Sequence, residues 1–321
     1  MGISAFIGVK GVREYESGIF FKYKDRLSNE QMKRYKEILL KLNIRIEDVF
    51  QWFFNEYLKA EFGVNGFSIN MPSANSMTLE KCKSISSEMD GILKQYRMYA
   101  EDHIIDRELF EISSQHILFK DVPSMLENKY AYSNSQDTKN EQFFLFSNQS
   151  LLSYTEKYGD KFNNFFQLIT SVDVKMNDFS EFQINDIKWL ERRTSIYIDE
   201  KGIIKPNIVR CILLQDLYKH EVIRPYYYKS KTEIDKMINS KDLRYQNSLF
   251  SIPEQNYLNY MLNKSEYSNG KDLRNKYNHS TYSLDKNQQE YDYNELLKIM
   301  AIIIIKINEE FDLIDKMNKS K

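Results

Sequence analysis

Cysteine, proline and glycine are all scarce in this chain, with 2, 5 and 10 occurrences in 321 residues. Cys82 and Cys211 lie far apart and outside any C-x-x-C spacing, which argues against a disulfide framework and a structural zinc site and fits a reducing cytoplasm. An excess of one charge is missing too: 45 basic side chains meet 46 acidic ones. No global field draws the protein to nucleic acid or membrane, so any polyanion site must be a local patch. Long apolar runs are absent. The longest, Leu296 to Ile307, is about 12 residues interrupted by Lys298, short of the roughly 20 needed to cross a bilayer, and reads as a buried core helix. The N-terminus has neither a basic segment followed by an apolar run nor a myristoylation pattern, since Phe6 stands where Ser or Thr is needed, so neither export nor a lipid anchor is expected. Neither G-x-x-x-x-G-K-[ST], G-x-G-x-x-G nor G-x-S-x-G occurs, and His116 and His220 have no partners at metal-ligand spacing.

What is present is helical periodicity. Ser28 opens an expected helix to about Leu42, with Met32, Tyr35, Ile38 and Leu39 on one face. Amphipathic stretches follow over Ile46 to Leu58, Ser73 to Ser113, Tyr154 to Ile169 and Ile184 to Arg193. Strand-like pieces are read at Ile3 to Val9, Ile19 to Tyr23 and Gln142 to Phe146. Ser133 to Asn140, eight residues without an apolar side chain, predicts a surface loop that breaks the N-terminal region. Ile196 to Ile204 has a strand, turn and strand signature, with Pro206 just before another helix, which places a boundary near 205. Helices are then expected over Asn207 to His220, Thr232 to Ile238, Glu254 to Leu262 and Glu295 to Met317. The fold class is mainly α: a mostly helical region with a few short strands over 1–205, followed by a helical bundle over 206–321. No internal repeat is present.

The most informative stretch is Leu273-Arg274-Asn275-Lys276-Tyr277-Asn278-His279, bracketed by polar segments and followed by the very apolar terminal helix. Cleaving RNA without a metal needs a group to take the 2′-hydroxyl proton, a group to protonate the leaving 5′-oxygen, and a cation over the phosphoryl oxygens. His and Arg have those capacities. The stretch resembles the signature of the HEPN superfamily (higher eukaryotes and prokaryotes nucleotide-binding domains), in which Arg and a following polar residue precede a His by four to six intervening residues. The resemblance covers at most the last third of the chain. It implies an all-helical domain that homodimerises to bring two motifs into one cleft, cuts RNA such as tRNA or mRNA without a cofactor, and serves as a toxin or a phage-defence, abortive-infection effector. An antitoxin or activator protein would be a partner, and residues 1–205 would carry regulation or partner binding.

Under that resemblance His279 is general base or acid, Arg274 neutralises transition-state charge, and Asn275 binds substrate or orients His279. Tyr277, Tyr282 and Lys276 are candidate substrate contacts. Residues five apart on a helix diverge by about 140°, so Arg274 and His279 converge only if the helix ends near His279 or two chains contribute. The competing reading is a loop histidine with Arg274 paired to Asp272. A second Arg and His pair, Arg97 and His103, has Met98 where a polar residue is expected and reads as an exposed helical face. The run Arg224-Pro225-Tyr226-Tyr227-Tyr228-Lys229 interleaves cations with aromatics, as single-stranded RNA surfaces do, and residues 206–280 carry twelve basic against eight acidic side chains, so Arg224 and Lys229 are candidate RNA contacts. The alternatives to an enzyme are a HEPN-like module that senses RNA or nucleotides or mediates oligomerisation without cutting, and a DNA-binding regulator using Ile196 to Tyr218 as a wing beside a helix.

Overall fold

Apolar residues recurring every three or four positions produce a chain that is mainly helical. The computed structural model describes residues 13–112, 117–264, 266–278 and 282–319. In order, the elements are α1 (Ile19–Lys41), α2 (Ile46–Trp52), a π-helical turn, α3 (Leu58–Phe62), α4 (Thr78–Asp102), α5 (Arg107–Ile112), β1 (Tyr130–Ser133), α6 (Gln136–Phe146), α7 (Phe165–Ser171), α8 (Glu181–Arg192), β2 (Ile196–Ile198), β3 (Ile204–Pro206), α9 (Ile208–His220), α10 (Thr232–Asn239), β4 (Leu243–Gln246), α11 (Ile252–Leu262), α12 (Leu273–Asn278) and α13 (Lys286–Lys319).

The chain forms two units, one from residues 1–127 with 248–321 and one from 128–247. This division differs from a boundary near 205. The helices after residue 248 bury Leu258, Leu296 and Met300 in one core with Ile46, Ile85 and Met89 from the N-terminal helices. The β2–β3 hairpin that suggested a boundary instead packs Ile196 and Ile204 with Leu213 and Leu214 inside the inserted unit.

In the first unit α13 is the central element. Its apolar run is buried at Leu296, Leu297, Met300, Ile303 and Ile307. Buried charge on the same helix is compensated: Glu295 accepts from Asn29 Nδ2 at 2.6 Å and pairs with Lys298 at 2.8 Å, and Glu310 accepts from the backbone N–H of Met125 at 2.7 Å. Among the described residues, no helix is long and apolar enough to cross a membrane. Ile19 to Tyr23, read as strand-like, is the start of α1, because a five-residue stretch with only Lys22 among apolar side chains is too short to separate the two periods. Ser28 consequently lies inside that helix, its hydroxyl donating to the Asp25 carbonyl at 2.8 Å. The strand expected at Ile3 to Val9 lies outside the described residues.

In the inserted unit the stretch Ser133 to Asn140 is not a loop. Ser135 accepts from the Thr138 N–H at 3.1 Å and caps α6, which carries Glu141 into the core, and Gln142 to Phe146 continues that helix instead of forming a strand. The hairpin is as read: β2 pairs antiparallel with β3, Ile198 opposite Ile204. A second ribbon joins β1 to β4, Tyr130 opposite Gln246.

Glu141 anchors a buried ionic cluster. It accepts from Arg210 Nε at 3.0 Å, from Arg193 Nη2 at 2.8 Å and from the Ser195 hydroxyl, and both arginines also reach Asp242, at 3.3 and 2.5 Å. Burial opposes ionisation of Asp242, but hydrogen bonds from Arg193, Ser240 and Arg210 outweigh it and hold its carboxyl below the usual range. Such a group contributes stability that is complete above its unfolded value of about 4 and is lost as pH falls through the folded one. Trp189 lies beneath Arg193 and reports on this unit. In a Trp52→Phe background its melting temperature should stay level from about pH 7 to 5 and fall below about pH 4, with a shallower fall after Asp242→Asn.

Candidate functional site

The motif helix α12 is short. Leu273 and Tyr277, four residues apart, form its buried face against α4. That face orients the next residue: Arg274 Nη2 lies 2.8 Å from Asp90 Oδ2 on α4, and its side chain is 16% exposed. The Arg274 Nε is buried with no acceptor among the described residues. Arg274 is thus paired to Asp90 and not to Asp272. Asp272 has a left-handed backbone (φ 56°) and accepts from Asn275 Nδ2 at 2.7 Å and from the Lys264 N–H at 3.1 Å. Asn275 therefore steadies the entry to the motif helix. His279 follows Asn278 and lies outside the described residues.

Tyr277 is not available to a substrate base. It is 1% exposed, its hydroxyl donates to Asp292 at 3.0 Å, and its ring stacks on Tyr282 with centroids 5.8 Å apart. Burial, with Cys82 and Asp292 beside it, pushes its phenol well above the ordinary range. Tyr282 is half-buried, with Lys83 over its ring at 5.1 Å, so both rings serve packing. Lys276 is half-buried on α12. Arg224 and Lys229 belong to the inserted unit, where both are exposed and Arg224 stacks on Tyr227 at 4.6 Å.

Arg97 pairs with Glu101 at 2.8 Å on the exposed side of α4, and His103 ends that helix with φ 56°. The solvent face of α9 exposes Ile208, Val209 and Ile212 while Arg210 is buried, which is not the basic face a duplex reader presents. Both thiols are free and buried, and burial pushes each up to about 12, so neither is poised as a nucleophile.

The structure adds what the motif did not reveal. A cavity of about 550 Å³ opens on the outer side of α4, lined by Ser68, Asn70, Glu88, Asp90, Lys94 and Arg107 among others. Asp90 is shared between the cavity wall and Arg274. Buried Gln95 holds Ser68 at both backbone groups, accepting from its N–H and donating to its carbonyl, each at 2.9 Å. Asn55 does the same for Ile69, at 2.9 and 3.3 Å, so the rim is fixed by side-chain amides. Burial pushes the Glu88 carboxyl up, partly opposed by a hydrogen bond from the Asn70 backbone N–H. The one hint in the sequence was Gly91, a helix-weakening residue amid Glu88, Asp90 and Lys94. Another cavity, about 480 Å³ in the inserted unit, is lined by Leu151, Phe179 and Phe182 among others and is mainly apolar. No known protein family, curated protein or solved structure matches this chain.

Proposed function

We propose that this chain is a metal-independent endoribonuclease whose chemistry is carried by Arg274 and His279, acting as a toxin or phage-defence effector. The observation that supports this most is the position of Arg274. It is partly buried and fixed by Asp90 at the wall of a polar cavity, and it stands five residues before His279 on a helix described only as far as Asn278. A guanidinium anchored on one side by a carboxylate can still donate to phosphoryl oxygens through its remaining N–H groups.

The reaction would be a transesterification. The ribose 2′-oxygen attacks phosphorus, the bond to the 5′-oxygen breaks, and the proton lost by the 2′-hydroxyl is balanced by one gained at the leaving oxygen. His279 serves as base or acid, a second copy of the chain provides the complementary group, and Arg274 neutralises the charge that develops on the phosphoryl oxygens. Asn275 acts by bracing the turn at Asp272. Because Arg274 is already engaged by Asp90, a second reading is a HEPN-like module that binds RNA or nucleotides without cutting them.

Purified wild-type and His279→Ala proteins incubated with total RNA and tRNA in EDTA separate the two. Fragments ending in 2′,3′-cyclic phosphate with wild type alone are expected. RNA that is bound but left intact by wild type overturns the catalytic reading in favour of the binding module.

A further inference from the structure

Around α4, residues at 100° intervals set Glu88 and Asp90 about 160° apart, with Gln95, Gly91 and Lys94 between them. The cavity therefore has two chemically different edges. At the Glu88 edge lie Asn70, Ser68 and Arg107, with Arg107 Nη2 3.4 Å from Ser68 Oγ. At the Asp90 edge lie Lys94 and, through Asp90, Arg274. Gly91 forms the floor between them, where a Cβ would stand 3.6 Å from the Phe110 ring. Phe110 and Ile105 complete the wall.

This is the lining that a nucleotide fits. The volume falls within the range of small-molecule sites, one edge carries Lys94 beside the Asp90–Arg274 pair, and the other offers a half-buried carboxylate beside amide and guanidinium donors. Bases are read by hydrogen bonds on the Watson–Crick edge and by stacking on aromatic rings. A carboxylate only accepts, and guanine alone among the four RNA bases presents two adjacent donors there, N1–H and the 2-amino group. Adenine and cytosine each alternate donor with acceptor, and uracil has a single donor flanked by acceptors. Guanine's O6 would then meet Arg107 or the Asn70 amide. Partial desolvation of Glu88 strengthens the hydrogen bonds it accepts.

We propose that the α4 cavity is a guanine-nucleotide subsite, with Glu88 reading the base and Lys94, beside the Asp90–Arg274 pair, taking the 3′-phosphate. It deepens the ribonuclease reading and rests on it for the consequence that RNA is cut on the 3′ side of guanosine.

Binding and cutting are measured separately. In calorimetric titrations of full-length His279→Ala protein, guanosine 3′-monophosphate should bind about tenfold or more tightly than the adenosine, cytidine and uridine 3′-monophosphates. Adding Glu88→Gln should remove that preference, since hydrogen bonds to a charged group carry roughly a tenfold to hundredfold effect each. Arg107→Ala, at an exposed position, should weaken guanosine 3′-monophosphate severalfold and provides a second test should Glu88→Gln fold poorly. Sequencing of fragment ends from protein with His279 intact should find guanosine at the cut, and the fragments that Glu88→Gln still produces should show no such preference. Equal binding of all four monophosphates, or binding indifferent to both substitutions, overturns the subsite even if RNA is cut. Guanosine-selective, Glu88-dependent binding by a protein that leaves RNA intact supports the subsite and instead removes the ribonuclease reading.

Discussion

Arg274→Lys should leave the fold intact and still lower RNA cleavage by about 10²- to 10³-fold, the range for removing one preorganised donor to transition-state charge. The Asp90 contact explains why keeping the charge does not keep the function. A guanidinium is a rigid fork that can hold Asp90 through Nη2 while its other N–H groups face a phosphoryl oxygen. A lysine ammonium is a point charge on a flexible stem, and Asp90 would capture it. Single-turnover cleavage measures the loss, and thermal melting checks that the pair with Asp90 still holds α12 to α4. Cleavage within threefold of wild type would remove Arg274 from the chemistry.

Glu141→Ala should destabilise the inserted unit by about 3–5 kcal/mol, the usual cost of stripping one partner from a buried ion cluster. Arg210 is nearly enclosed, at 6% side-chain exposure, and would lose both contacts it makes to Glu141, while Arg193 and Ser195 each lose an acceptor. Typical domains have only about 5–15 kcal/mol of stability in total. Urea unfolding followed at Trp189 in the Trp52→Phe background should therefore move to markedly lower denaturant. Glu141→Gln, which keeps one acceptor oxygen, should fall between the two. A loss below about 1 kcal/mol in Glu141→Ala would mean that the arginines find other partners.

Much of the helical framework is legible in the sequence because it rests on long apolar periods. The stretches leading to α2, α4, α8, α9, α10, α11 and α13 carry their spacing openly, and the β2–β3 hairpin carries a turn signature. Of the helix expected over Tyr154 to Ile169 only the end is helical, in α7 (Phe165–Ser171), and Ser133 to Asn140 misleads for a different physical reason. Ser133 to Asn140 has no apolar residue, and its helix is held by the Ser135 cap and by Glu141, whose partners Arg193 and Arg210 are 52 and 69 residues away. Charges that pair inside a core look, in sequence, like charges that face water. The same blindness applies at the candidate site. Arg274, Asn275 and His279 stand out by local spacing, but Asp90 and Glu88 lie on a helix whose sequence reads only as amphipathic, and nothing local says that its polar side walls a cavity. Tyr277 looked like a stacking platform because aromatic character does not encode direction.

The inserted unit also sets an order of events during synthesis. Its entry and exit strands, β1 and β4, lie side by side, and within the first unit the Leu249 N–H donates to the Val122 carbonyl at 2.9 Å, so each unit closes its own ends. Residues 128–247 are contiguous and can fold as soon as they leave the ribosome. The unit bearing the motif cannot, because α4 must wait for α12 and α13, translated more than 170 residues later. Arg274 meets Asp90 only after some 184 further residues have been added, so on the ribonuclease reading proposed above the candidate centre is assembled long after α4 itself has been made.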